Sequence, residues 1–170
     1  MDIDEADALE RTALFYCVEN IDTQCLKLLI DAKAGLDSQD KNKYTALHLA
    51  VIAGNKVIVE YLVKNGADVN ILDADKHSVI HWVVVCGQFH LLDFLMKNDA
   101  DAETSDIHGA YPIHYAAQMC GSVEIWDDKI TRDQTKSLKI LRKLIDEKVD
   151  LNIEDNDKRN ALLWASSSGK

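Results

Sequence analysis

The chain has 170 residues, 47% of them hydrophobic and 28% charged, a balance that supports a buried core and excludes a disordered chain. A formal charge of -10, from 19 basic against 29 acidic residues, repels phosphate, so nucleic acid is not an expected partner. No run of about 18 apolar residues occurs and the opening is acidic, so neither a membrane span nor a signal peptide is expected.

Residues 1–10 carry Asp2, Asp4, Glu5, Asp7 and Glu10 without a sustained apolar pattern, and are expected as a frayed acidic lead-in or part of a capping helix. From residue 11 a unit begins that then repeats. Thr12-Ala-Leu-Phe15 opens one apolar helix and Cys25 to Ile30 a second, followed by the turn-rich Ala34-Gly-Leu-Asp37. The next opening, Thr45-Ala-Leu-His48, lies 33 residues on; Thr45 is a candidate N-cap, Gly54 the helix break, and Gly66 a left-handed C-cap. Ser78-Val-Ile-His81 follows after another 33, with Gly87 at the break, but the unit ends in Asp99-Ala-Asp101 without a C-cap glycine. Tyr111-Pro-Ile-His114 is the fourth opening, and its Pro112 suits the first turn of a helix, where a missing N–H leaves nothing unpaired. The fifth, Asn160-Ala-Leu-Leu163, comes 49 residues after Tyr111, an excess of 16 that falls at 122–137. Thr131-Arg-Asp-Gln134 has capping-box spacing, which predicts a helix starting near residue 132 and a protruding loop over 122–130.

A fixed 33-residue period with a T-P-L-H-x-A-like phrase is the signature of stacked helical repeats. Together with the mid-repeat glycine and the Gly66-Ala-Asp-Val-Asn70 ending, it resembles the ankyrin repeat family over residues 11–170. The resemblance implies an all-α solenoid of stacked helix-turn-helix pairs with short β-hairpin fingers. The repeats are expected at about 11–39, 40–72, 73–105, 106–154 (with the insertion 122–137) and a partial repeat 155–170, a half unit that points to a piece of a longer array or to a crude cap built on Trp164. Within the family, Gln39-Asp-Lys-Asn-Lys43 before Thr45-Ala-Leu-His48 is similar to repeats of inversin-type ciliary scaffolds, without assigning a subfamily. Lys43, Lys76 and Lys158 stand where only Gly109 keeps the finger glycine, so three fingers carry left-handed strain, eased if Asn42, Asp75 or Asp157 takes that conformation.

Equally spaced His48, His81 and His114 invite a metal reading, but equivalent positions in stacked helices lie about 10 Å apart, whereas shared ligands each sit about 2 Å from one ion. Each imidazole is instead expected to bond the capping hydroxyl and the next connector's backbone, with His114 needing another partner because Tyr111 replaces that hydroxyl. No GxGxxG, Walker loop, HExxH or GxSxG occurs, so the chain is read as non-enzymatic, with no cofactor, metal or small-molecule substrate. Cys17, Cys25, Cys86 and Cys120 form no CxxC pair and read as reduced thiols of an intracellular, cytoplasmic protein.

What the resemblance implies for function is a protein or peptide partner bound on the concave face, formed by the finger tips and the exposed side of each first helix. By phase, that face carries Tyr44, Ile52, His77, Val85, Ile107, His108 and Met119, an apolar centre between polar ends. Trp126, in the insertion, is a further candidate anchor, or a pin that folds back to hold its loop. Two other readings stay open: an N-terminal positioning domain of a larger channel, kinase or ligase, and a small stoichiometric enzyme inhibitor made only of repeats.

Overall fold

The computed structural model describes residues 2–121 and 132–167. Among them nine helices alternate with tight turns: α1 Ala13–Glu19, α2 Thr23–Asp31, α3 Ala46–Ile52, α4 Lys56–Lys64, α5 Val79–Val85, α6 Phe89–Met96, α7 Pro112–Gly121, α8 Arg132–Asp146 and α9 Ala161–Ser167. Helices of seven to nine residues are too short to persist alone in water, so packing must hold them. The first helix of each unit touches the first helix of the next, α1 to α3, α5, α7 and α9, while α4, α6 and α8 stack behind them. Between these layers lies one core whose members recur at the repeat interval: Leu14, Leu47, Ile80 and Ile113 from the first helices, and Ile58, Leu91 and Ile140 from the second, each at most 1% exposed.

The histidines fasten the start of each first helix. Thr45 accepts from the His48 backbone N–H, and the His48 Nδ1 lies 2.9 Å from the Thr45 hydroxyl and accepts from the Thr45 N–H. Ser78 and His81 repeat the arrangement. Because a backbone N–H donates to Nδ1, the proton sits on Nε2, and His81 donates it to the Ala110 carbonyl at 3.2 Å in the following unit. His114, lacking a capping hydroxyl, accepts from the Tyr111 N–H and donates to the Arg159 carbonyl at 3.1 Å. Burial pushes His48 and His81 below the usual imidazole value, His81 to about 4. In the first unit Phe15 fills the histidine's place, and the buried Thr12 hydroxyl is left without a partner.

Every positive φ among the described residues falls at one of three phases of the unit. Ile21, Gly54 and Gly87 end the first helix; Lys33, Gly66, Asp99 and Lys148 follow the second; Glu10, Lys43, Lys76, Gly109 and Lys158 sit in the finger. Thus the strain expected in the fingers falls on the lysines themselves, not on Asn42, Asp75 or Asp157. The same turn at Asp7–Arg11 gives part of the acidic lead-in the form of a finger, closed by Asp7 N–H to the Arg11 carbonyl at 3.0 Å.

No strand is present among the described residues, so the expected β-hairpin fingers reduce to their tips. At each tip the N–H of the left-handed residue bonds the aspartate carbonyl three residues back (Lys43 to Asp40, 2.8 Å), and that aspartate's N–H bonds the carbonyl four residues on (Asp40 to Tyr44, 2.9 Å). This is a type I turn closed by a left-handed residue. Single backbone bonds then tie finger to finger: Ala74 N–H to Asn42, Ile107 to Asp75, and Asn156 to His108. One bond per pair links the fingers without building a ladder.

The helix expected near residue 132 begins at Arg132 and runs for 15 residues against nine in α2 and α4, so α8 absorbs part of the insertion. The expected loop over 122–130 and Trp126 lie outside the described residues.

Candidate protein-binding face

Each finger begins with an aspartate, almost wholly buried at Asp40, Asp73, Asp106 and Asp155 and exposed at Asp7, and in all but Asp40 its two oxygens serve two elements. One oxygen accepts the N–H groups two and four residues on and shapes the tip: in Asp73, from Asp75 at 3.0 Å and His77 at 2.8 Å; in Asp106, from His108 and Ala110, both at 2.8 Å. The other accepts from an aromatic side chain nine residues on, in the following first helix. Trp82 Nε1 donates to Asp73 at 3.0 Å, the Tyr115 hydroxyl to Asp106 at 2.5 Å, Trp164 Nε1 to Asp155 at 2.8 Å, and the Tyr16 hydroxyl to Asp7 at 2.5 Å. The unit of Asp40 departs from this, with Leu49 in the aromatic's place. Burial opposes ionisation of Asp106, but the Tyr115 hydroxyl and the two backbone N–H groups outweigh it and hold its carboxyl below the usual range. Burial, and then Asp106, raise the Tyr115 phenol.

These pins align the rings along one side of the array. Tyr44 meets Trp82 at 5.6 Å between centroids, Trp82 meets His77 at 5.7 Å, His77 meets Tyr115 at 6.1 Å, and Tyr115 meets Trp164 at 5.3 Å. The contacts are edge-on or tilted, the arrangement that ring quadrupoles favour. At the middle of the row His77, His81, Trp82, Val85 and Tyr115 line an open notch of about 260 Å³. The His77 ring stands between two carboxylates, Nδ1 3.4 Å from Asp73 and Nε2 3.6 Å from Asp106.

Of the residues expected on this face, Tyr44, His77 and Val85 come together in or beside the notch, with Val85 42% exposed. Ile107, 45% exposed, and His108 sit at the next finger tip. Ile52 and Met119 are half-buried, and Met119 packs against the core rather than standing out from it. Trp82, Tyr115 and Trp164 were not singled out by phase, although Asp-x8-aromatic at the finger phase, in four units out of five, is a readable signal for them. Among the described residues no three His, Cys, Asp or Glu side chains converge where a metal ion would sit, and no helix is long and apolar enough to cross a membrane.

Comparison with known proteins matches residues 1–73 to the family model for ankyrin repeats (3 copies). A stretch of 52 residues is 42% identical to inversin of Danio rerio, covering 31% of this chain and 5% of that protein's length. Ankyrin repeats are generally protein-interaction modules and typically non-enzymatic. Residues 1–73 of this chain match the ankyrin-repeat model, and the same alternation of helices and fingers, in the same phase, recurs through the described residues to 167.

Proposed function

We propose that the chain is a non-enzymatic interaction module that binds a protein or peptide on the concave face formed by the finger tips and first helices. The row of rings supports this reading best. Half-buried rings fixed by buried carboxylates present a rigid apolar surface with little side-chain entropy left to lose, and exposed Val85 and Ile107 flank it. The opposite layer also exposes apolar residues, Leu28 at 70% and Val57 at 67%, but these stand on α2 and α4 without a comparable aromatic row.

Val85→Glu combined with Ile107→Glu tests the assignment, because both side chains are exposed and the change leaves the core intact. Affinity capture followed by mass spectrometry is expected to lose the partners retained by the parent chain, while the unfolding midpoint stays unchanged. Recovery of the same partners by the folded variant contradicts the assignment.

A further inference from the structure

Five fingers in phase allow the chain to be compared with itself. Four residues after each finger aspartate stand Arg11, Tyr44, His77, Ala110 and Arg159. In the first and fifth fingers the aspartate and its aromatic hold an arginine of the chain. Arg11 lies over the Tyr16 ring at 4.5 Å, with Nε 3.7 Å from Asp7. Arg159 lies over the Trp164 ring at 5.2 Å and donates through Nε to Asp155 at 2.9 Å. In the middle the same carboxylate and ring recur without an arginine. Asp73 with Trp82 has His77 at that position, and Asp106 with Tyr115 has Ala110. Among the described residues no Lys or Arg is ion-paired to Asp73 or Asp106. The notch opens there, lined by the rings of His77, His81, Trp82 and Tyr115 and by Val85, with the buried carboxylates of Asp73 and Asp106 on the His77 ring nitrogens.

Negative charge behind an aromatic wall favours a cation in front of it: the ring faces attract a guanidinium directly, and the low-dielectric core screens the carboxylates poorly. The net charge of -10 adds long-range attraction for a basic segment. From this we infer that the central notch receives an arginine side chain from the partner polypeptide, its guanidinium stacked on Trp82 or Tyr115 as Arg159 stacks on Trp164. The inference rests on this face being the binding face, and it specifies the chemistry of what binds there.

The test uses blocked single residues rather than an unidentified partner. N-acetyl-arginine methylamide is titrated into the 15N-labelled chain while the Trp82 indole N–H is followed, its resonance assigned by its loss in Trp82→Phe. The citrulline analogue, of the same shape but neutral, is titrated in parallel. The expected result is a saturable shift of the Trp82 resonance with arginine, an affinity for citrulline weaker by about tenfold, and loss of the arginine response on addition of salt. Tyr115→Leu is expected to weaken arginine binding by a similar factor. Equal responses to arginine and citrulline, or no saturable response to arginine, overturn the inference. If Val85→Glu with Ile107→Glu still abolishes partner capture in that case, the binding face stands and its guest is apolar; if capture also survives, both readings fall.

Discussion

Lys43→Gly and Lys76→Gly should each stabilise the fold, although each removes a charged surface residue and adds backbone freedom. Both lysines are exposed, at φ 63° and 62°, in a turn whose closing residue must be left-handed. A left-handed conformation costs an L-residue about 1–2 kcal/mol, and glycine gives back about 0.5–1 kcal/mol through its larger unfolded-state entropy. The difference is a gain of about 0.5–1 kcal/mol per site, or about 1–2 kcal/mol for the double variant. Neither lysine forms an ion pair among the described residues, so no such contact offsets the gain. Gly109 occupies the same phase at φ 72° and provides the opposite control: a Cβ there would stand 2.8 Å from the Asn156 backbone nitrogen, so Gly109→Ala should lose at least about 1–2 kcal/mol. Urea unfolding followed by far-UV circular dichroism reads both. With an unchanged slope, the double lysine variant should unfold at a midpoint higher by about 0.5 M. An unchanged or lower midpoint would refute the claim that the turn imposes the left-handed conformation.

Other substitutions probe the caps and pins. Thr12→Val, which removes a buried hydroxyl without a partner, should stabilise by about 1 kcal/mol, whereas Thr45→Val, which strips His48 of its cap, should cost about 1–2 kcal/mol. Opposite signs in urea midpoints are the check. Tyr115→Phe keeps the ring but removes the donor to Asp106, and is expected to cost about 1.5–3 kcal/mol by the same measurement. For pH, the unfolded chain takes up the His81 proton near 6.5 and the folded chain only near 4, so stability is full above the unfolded value and falls between the two. His81 alone should remove about 2 kcal/mol between pH 7 and pH 5, with His48 acting in the same direction. A urea midpoint that does not fall over that range, or His81→Asn leaving the fall undiminished, would remove the buried neutral histidine from the explanation.

How much of this was readable beforehand depended on whether one residue type repeats. His48, His81 and His114 recur unchanged at 33 residues, and the openings of the first helices follow from that phase, whereas the start of α8 at Arg132 follows from the capping-box spacing of Thr131-Arg-Asp-Gln134. The aspartate pins were less visible because their partners vary between Tyr and Trp and because Leu49 interrupts the series, so ordinary core aromatics concealed a rule about hydrogen-bond donors. Phase assigns Met119 to the face by number, and there it is half-buried and packed against the core, as Trp82 and Tyr115 are. The fingers were inferred as strands, yet their stability comes from aspartate oxygens in the turn, a local device that needs no ladder.

Site-specific photocrosslinking tests the binding face most directly. A photoreactive phenylalanine analogue is placed at position 85, at the mouth of the notch, and in a separate variant at position 57 on α4; both positions are exposed. The account predicts crosslinks to a partner polypeptide from position 85 and none from position 57. Crosslinks from 57 with none from 85 would move the binding surface to the opposite layer and contradict it.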